Sequence, residues 1–326
     1  MLAYQDVVTA HQRIRKYIHK TPVVTCRALD DLVGYQVSLK VEGLQRGGSF
    51  KVRGSTNAAL TLSEEERKRG IISHSSGNHA QGVALAAQTV GSTALIVMPS
   101  DAPIPKREAV LGYGGEIYPY DRRSGDRAAI AYKLADETGR VMLPPFDDER
   151  IMAGQGTVAL EFLDQVSALD AILVPIGGGG LISGCATVIK HLKPACRVFG
   201  IEPEAADDAR QSLEKGERVT IAEPDTIADG LRPHSLGVKP FEVIRERVDQ
   251  ILTVTDVAIA RALLFLFQRA KLVVEPSGCV GVAALMSGAV PMPASSKIGV
   301  VLSGGNLDPA LMPLFLRIAE EGADRP

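Results

Sequence analysis

The segment AILVPIGGGGLISGCATVIKHL, residues 171–192, decides the fold class of this chain. It opens with a continuous apolar run, which is typical of a strand buried on both faces of a sheet. It closes with the spacing of an apolar helix, and four glycines, Gly177 to Gly180, join the two parts. A buried strand that turns directly into a helix is the unit of a parallel sheet covered by helices.

The same alternation runs through most of the chain. Polar, weakly periodic residues between Glu204 and Asp229 interrupt it, and they indicate surface loops and short helices. The alternation predicts an α/β fold, and 326 residues suffice for one large domain or two linked domains. The main predicted strands are 36–44, 70–76, 94–99 and 297–305, and the main predicted helices are 127–139, 157–166 and 256–272.

Composition and charge exclude several classes of protein. The net charge is −2 with charges scattered along the chain, which argues against a nucleic-acid binder. The four cysteines lie far apart, so neither a disulfide scaffold nor a structural zinc site is expected. Glycines interrupt the most apolar region, and the N-terminus lacks the apolar stretch of a signal peptide. We therefore expect a cytoplasmic protein without a membrane span.

Lys51, in GSFKVRG (48–54), is the strongest candidate for chemistry. It follows a predicted strand and lies between Gly48 and Gly54, where open sheets place their binding sites. A lysine amine forms a Schiff base with an aldehyde, and a glycine turn that opens a helix holds a phosphate. Pyridoxal phosphate carries both groups, so Lys51 and the glycine turn together point to an amino-acid enzyme.

Each signal also has a plainer explanation. An arbitrary lysine is usually solvated, and a glycine turn can be purely structural. A more specific alternative is the dinucleotide site of an NAD-dependent dehydrogenase. Glu202 ends the next strand, where such a site has an acidic residue that binds the ribose. The GxGxxG pattern fails at Ser183, however, and that function leaves Lys51 without a role. A ligand-binding module without catalysis is the third alternative.

Three polar segments supply further candidates. SSGNH (75–79) lies at a strand-to-helix turn, where it can cradle a carboxylate or simply cap the helix. SGGN (303–306) closes the last strand with the hydroxyl of Ser303, or forms an ordinary turn. EPEAADD (202–208) is either a solvated acidic loop or a source of oxygen ligands for magnesium or calcium.

The chain resembles the fold-type-II pyridoxal-phosphate enzymes, and among them the serine/threonine dehydratase and serine racemase group. The resemblance implies two three-layer α/β/α domains of the tryptophan-synthase β-subunit type with mainly parallel sheets. The larger domain would comprise 1–65 and 148–326, and the smaller domain, 66–147, would grip the substrate carboxylate. The resemblance rests on the motifs GSFKVRGSTNA, SSGNHAQG, MAGQGTVALEF, VPIGGGGLISG, TIADGLR, EPSGCVGVAAL and LSGGN, which occur in the family's order.

The resemblance also implies a role for each motif residue. Lys51 would hold pyridoxal 5'-phosphate as a Schiff base and remove the α-proton, and Ser303 would face the pyridine nitrogen. The implied cofactor-binding residues are Phe50, Lys51, Asn78, Gly177, Gly178, Gly179, Gly180, Leu181 and Ser303. The implied substrate-binding residues are Ser75, Ser76, Gly77, Asn78 and His79. The reaction would be dehydration and deamination of L-serine, L-threonine or a similar β-hydroxy amino acid to a 2-oxo acid and ammonia.

A few positions bear on the subclass. Ser76 is the residue that racemases have, and a hydroxyl opposite Lys51 would allow racemisation, whereas Phe146 resembles the dehydratases. Arg232 and His234 are unusual for a threonine enzyme and favour threo-3-hydroxyaspartate as the alternative substrate. The resemblance also implies a homodimer. The implied site for Mg²⁺ or Ca²⁺ consists of Glu202, the carbonyl of Ala206 and Asp208.

Overall fold

The computed structural model describes residues 1–102, 104–121 and 125–321, so the last five residues of the predicted larger domain lie outside it. The α-helices within these ranges are α1 Tyr4–Ile14, α2 Arg27–Val33, α3 Lys51–Leu60, α4 Glu64–Arg69, α5 Asn78–Thr89, α6 Ile104–Gly112, α7 Arg127–Thr138, α8 Glu149–Gln165, α9 Gly180–Leu192, α10 Asp208–Lys215, α11 Val238–Arg247, α12 Asp256–Phe265, α13 Val280–Met286 and α14 Met312–Glu321. The strands are β1 Val23–Thr25, β2 Gln36–Val41, β3 Ile71–His74, β4 Ala94–Pro99, β5 Glu116–Tyr120, β6 Val141–Met142, β7 Ala171–Pro175, β8 Arg197–Pro203, β9 Gln250–Val254 and β10 Lys297–Leu302.

The larger sheet has six strands in the order β1-β2-β10-β7-β8-β9. Only the β1–β2 pair is antiparallel. Alternate residues of β7 point to opposite faces: Ala171 and Leu173 pack toward α12 and α13, and Ile172 and Val174 toward α8 and α9. Because both faces are covered, every residue of β7 is buried, as its unbroken apolar run predicts.

The smaller sheet is wholly parallel, with the order β5-β4-β3-β6. Ile71 and Ile96 pack against α5 on one face, and Ile72 and Val97 pack against α7 on the other. Both sheets are therefore the middle layer of an α/β/α sandwich, which confirms the predicted fold class. Ala58 of α3 joins the core of the smaller sheet, so α3 contacts both halves of the molecule.

Two predicted helices differ from the structure. The helix expected at 157–166 begins instead at Glu149, because Gly154 and Gly156 lie inside it rather than in a loop. Both glycines are in direct contact with the backbone of neighbouring helices, and a side chain at either position would collide with that backbone. The helix expected at 256–272 ends as an α-helix at Phe265 and continues as a π-turn to Ala270.

A buried network of charged side chains ties the helix that begins at Lys51 to the sheet and to α8. The Arg53 guanidinium donates to Glu42 at 2.7 and 2.8 Å and to Glu161 at 2.8 Å. Lys40 donates to Glu161 at 2.9 Å. All four side chains are buried, and two positive charges balance two negative ones. No helix in the described ranges is long and apolar enough to cross a membrane.

Candidate active site

A cavity of about 880 Å³ lies between the two sheets, and both sheets contribute to its wall. The residues predicted to bind cofactor or substrate are separated by up to 253 positions in the sequence, from Phe50 to Ser303, yet all of them line this space. They are Phe50, Lys51, Ser75, Ser76, Gly77, Asn78, His79, Gly177, Gly178, Gly179, Gly180, Leu181 and Ser303.

Lys51 is the first residue of α3, and its amine points into the cavity. Its Nζ donates to the carbonyl oxygen of Pro145 at 3.0 Å and lies 5.1 Å from the centroid of the Phe50 ring. Loss of hydration lowers the pKa of Lys51 to about 8, and the negative charge of Glu275 opposes this shift. A substantial fraction of the amine is therefore neutral near pH 8, which is the form that attacks an aldehyde.

The glycine turn connects β7 to the N-terminus of α9. Gly179 has φ +90°, where a side chain is strained. A Cβ added to Gly178 would lie 2.2 to 2.3 Å from the Phe146 ring, so only glycine fits beside that ring. The free amides at the start of α9 and the helix dipole favour an anion here. The backbone therefore forms a cradle that suits a phosphate group.

SSGNH forms the turn between β3 and α5, with Asn78 as the first residue of the helix. The amide of Gly77 donates to Oγ of Ser75 at 3.2 Å, which shapes the turn. His79 is buried, and its Nε2 lies 3.0 Å from the carbonyl oxygen of Leu143. Burial lowers the pKa of His79 to about 3, so the ring is neutral. The carbonyl accepts a hydrogen from Nε2, which leaves Nδ1 as an acceptor, unable to donate to a carboxylate.

Glu275 was missed as a site residue in the sequence, although its motif EPSG was recognised. It is 6% exposed, and its Oε1 accepts a hydrogen bond of 2.6 Å from Nδ2 of Asn78. Oδ1 of Asn78 accepts from Nδ2 of Asn306 at 2.8 Å, so both ends of the amide are fixed. Burial, reinforced by the charge of Asp229, raises the pKa of Glu275 to about 8. The sequence signal that could have revealed Glu275 is its position as the acidic residue of an otherwise apolar motif, EPSGCVGVAAL.

Ser303 follows the last strand, β10, and contributes a buried hydroxyl to the cavity. Its Oγ lies 3.5 Å from the carbonyl oxygen of Ser277. A hydroxyl at this position, unlike a carboxylate, supplies no negative charge that would keep a facing ring nitrogen protonated.

Basic side chains lie around the same cavity. Arg232 and His234 line it as expected, and Arg232 lies 3.8 Å from Glu223. Arg127, the first residue of α7, also lines it and was not singled out in the sequence. Lys106 of α6 forms an ion pair with Asp229, which joins the two halves of the molecule.

The carboxylates of the predicted cation site lie apart from the cavity lining. Glu202 is fully buried and accepts from the amides of Ala209 and Arg210 at 3.1 and 3.0 Å. Asp208 is also buried, and its Oδ2 has no hydrogen-bond partner. Burial raises the pKa of Glu202 well above its usual range and that of Asp208 to about 7. No group of three or more His, Cys, Asp or Glu side chains suited to a metal occurs in the described ranges.

Comparison with known proteins identifies the family. Residues 14–304 match the family described as "Pyridoxal-phosphate dependent enzyme". The chain belongs to this family. It is 48% identical to the L-threo-3-hydroxyaspartate ammonia-lyase of Saccharomyces cerevisiae, over 94% of this chain and 93% of that protein. It is 44% identical to the serine racemase of Schizosaccharomyces pombe, over 94% of each chain.

Solved structures give the same family. The crystal structure of a threonine deaminase from T.th. superposes with a TM-score of 0.89 at 46% identity, covering 94% of this chain and 99% of that one. Pyridoxal phosphate is thereby implied, and the cavity fits it. Lys51 supplies an amine of lowered pKa for the aldehyde, and the glycine turn supplies the free amides at the start of α9 for the phosphate. Membership in this family favours pyridoxal phosphate over a dinucleotide.

Proposed function

We propose that this protein dehydrates and deaminates an L-β-hydroxy amino acid, L-serine or L-threonine, to a 2-oxo acid and ammonia, with serine racemisation as a second activity. One observation carries the proposal: Lys51, the glycine turn and the SSGNH turn face one cavity between the two sheets. The names of similar proteins, serine racemase and threonine deaminase among them, support the same substrate class.

The protein's own groups would perform the steps as follows. Free amides and hydroxyls of the 75–79 turn would hold the substrate carboxylate, since the neutral His79 ring has no hydrogen left to donate. The neutral amine of Lys51 takes the α-proton. Bound pyridoxal phosphate supplies the electron sink that stabilises the carbanion. The β-hydroxyl departs with a proton as water, and a later hydrolysis consumes one water and releases ammonia.

The cofactor would be held by the residues named from the sequence. The amides of Gly177 to Gly180 and Leu181 bind its phosphate at the start of α9. Phe50 would pack beside the ring, and the second hydrogen of the Asn78 amide would be available to donate to the ring oxygen. Ser303 would face the ring nitrogen without charging it, which would suit prompt departure of a β-substituent.

Lys51→Ala tests the main proposal. We expect loss of 2-oxo acid formation and of the visible absorbance of the bound cofactor, with Lys68→Ala, an exposed lysine, as the control. A colourless wild-type protein that binds NAD would instead support the dehydrogenase alternative, and amino-acid binding without turnover would support a binding module. Full activity of Lys51→Ala would disprove the proposed role of Lys51.

Ser76 would deliver a proton to the face of the substrate opposite Lys51. Replacing Ser76 by Ala should abolish formation of D-serine and leave elimination measurable in the same sample. Equal rates of D-serine formation in the variant and the wild type would contradict this assignment.

A second candidate substrate is threo-3-hydroxyaspartate, whose extra carboxylate needs a positive partner. Arg127 and Arg232 line the cavity and offer such partners, and the imidazole of His234 lines the same cavity. Arg232→Met should raise KM for hydroxyaspartate and leave KM for serine nearly unchanged. An equal rise for both substrates would count against a specific second carboxylate site.

A divalent cation, Mg²⁺ or Ca²⁺, would bind Glu202, the carbonyl of Ala206 and Asp208, completed by water. The donor set fits, since two buried carboxylates lie close enough for the charge of Asp208 to raise the pKa of Glu202, and Oδ2 of Asp208 lacks a partner. A cation would offset that repulsion and so would stabilise the fold.

Three expectations from the sequence stay predictions. The larger domain would comprise 1–65 and 148–326 and the smaller domain 66–147. The protein would form a homodimer and reside in the cytoplasm. Limited proteolysis and light scattering of the purified protein would test the first two, and fractionation of source cells would test the third.

A further inference from the structure

The helix α8 lies between the two helices whose N-termini form the cofactor site. A Cβ added to Gly154 of α8 would lie 2.6 Å from Cα of Gly54 in α3. On its other side, a Cβ added to Gly184 of α9 would lie 2.4 Å from the amide nitrogen of Gly156 in α8. Gly154 and Gly156 are two positions apart, about 200° around the helix, and therefore lie on opposite sides of it.

These contacts occur close to the two predicted attachment points. Gly54 follows Lys51 by three positions, and Gly184 follows Gly180 by four, so each contact lies about one helical turn from its helix start. The amide of Gly54 also donates to Oε1 of Gln155 at 3.1 Å, which adds a polar tie between α3 and α8. The spacing between the lysine and the glycine turn is thus set by three helices in backbone contact.

We propose that these four glycines, Gly54, Gly154, Gly156 and Gly184, form a spacer that fixes the distance between Lys51 and the phosphate cradle. With that distance correct, one molecule can attach at both ends, and the second attachment occurs at a high effective concentration. The proposal rests on the proposed roles of Lys51 and the glycine turn. The four glycines are positioning residues, since none of them lines the cavity.

Adding a methyl group to the spacer should separate the two attachment points. Carbon atoms pack at about 3.5 to 4.0 Å, so a contact of 2.4 or 2.6 Å forces a displacement of about 1 Å. A displacement of about 1 Å opposes simultaneous attachment at both points, which removes an advantage in affinity of about 100-fold. A ligand that binds at only one of the two points loses little affinity, because it moves together with the helix that holds it.

The test compares three probes on the apoprotein: pyridoxal 5'-phosphate, pyridoxal, which lacks the phosphate, and inorganic phosphate. Pyridoxal reports on Lys51 alone, where the amine and the aldehyde carbon form a C=N bond and release one water. Inorganic phosphate reports on the glycine turn alone. Gly154→Ala and Gly184→Ala are the test variants. Gly112→Ala, with open space around the added Cβ, and Val188→Ala, which removes packing within α9, are the controls.

We expect Gly154→Ala and Gly184→Ala to lose about 100-fold in affinity for pyridoxal phosphate while pyridoxal and phosphate bind nearly as in the wild type. In both control variants, pyridoxal phosphate should bind more tightly than pyridoxal by the same factor as in the wild type. An unchanged advantage in the test variants would overturn the proposal, and so would equal losses in Val188→Ala, which would indicate general destabilisation.

Two further measurements test the spacer without Gly154→Ala or Gly184→Ala. If the test variants do not fold, Gly156→Ala, whose closest contacts are milder at 2.8 and 2.9 Å, replaces them. In the wild type alone, pyridoxal phosphate binding no tighter than pyridoxal would overturn the spacer without any variant. Pyridoxal binding equally well to Lys51→Ala would instead refute the proposed role of Lys51, which separates the two failures.

Discussion

The side-chain amide of Asn78 donates a hydrogen bond of 2.6 Å to Oε1 of Glu275. These residues are 197 positions apart and belong to different halves of the molecule. The bond fixes which end of the Asn78 amide faces the cavity, because Asn306 donates to the other end. The orientation of a predicted cofactor ligand therefore depends on a carboxyl group with a raised pKa.

Two substitutions of Glu275 should separate hydrogen bonding from charge. Glu275→Gln keeps an acceptor for Asn78, and we expect nearly normal affinity for pyridoxal phosphate at pH 7, where the carboxyl is mostly protonated. Glu275→Leu removes the acceptor and should weaken binding by about tenfold, equivalent to about 1.4 kcal/mol for one lost hydrogen bond. Titration of each apoprotein with pyridoxal phosphate measures the two affinities. Equal losses of affinity in Glu275→Gln and Glu275→Leu would contradict the proposed hydrogen-bonding role.

Glu275 should also make stability depend on pH. Its pKa rises from 4.5 to about 8 on folding, so the folded apoprotein binds more protons between these values. Its contribution to the free energy of unfolding is complete below about pH 4.5 and is lost as the pH rises toward 8. Between pH 5 and 8.5, the free energy of unfolding measured by urea denaturation should fall less steeply with pH for Glu275→Gln than for the wild type. Parallel curves would be inconsistent with the raised pKa.

Lys51 should set the pH dependence of carbonyl attachment. With a pKa of about 8, the neutral amine increases tenfold per pH unit below that value and levels off above it. The rate of pyridoxal attachment to the apoprotein should follow this curve. In Glu275→Gln the midpoint should move to lower pH, because a negative charge that favours the ammonium is gone. A midpoint near 10.5 would mean that burial does not perturb Lys51.

Removing one member of the buried charge network should destabilise the protein strongly, because the remaining charges would be buried without a partner. Arg53→Met leaves Glu42 and Glu161 without their main partner and should lower the free energy of unfolding by about 3–5 kcal/mol. The exposed pair of Lys68 and Glu64 is the control, where Lys68→Met should cost under about 1 kcal/mol. Similar losses for both variants would show that burial of the network has no special effect.

A cation at Glu202 and Asp208 should appear as a stabilising ligand. Adding Mg²⁺ or Ca²⁺ at 100 times its Kd should stabilise the protein by about 2.7 kcal/mol, measured as a rise in Tm. Asp208→Asn should lose that rise. Glu214→Gln, an exposed carboxylate on the same helix, should retain it. A rise that persists in Asp208→Asn would locate the cation elsewhere.

The sequence alone determined the alternation of strands and helices, and with it the fold class. It also selected Lys51, the glycine turn and SSGNH as candidate site residues, because each has unusual residues at fixed local spacing. It could not reveal that α8 begins at Glu149, since Gly154 and Gly156 normally indicate a loop. Their value lies in contacts with Gly54 and Gly184, which are remote in the sequence.

Tertiary structure alone decided what surrounds each candidate. The lowered pKa of Lys51 and the neutral state of His79 both result from burial, and a carbonyl 64 positions away fixes which nitrogen of the His79 ring carries its hydrogen. Glu275 gained its importance only when folding placed it against Asn78. Local patterns record what the backbone needs within a few residues, whereas hydration and long-range contacts exist only after the chain has folded.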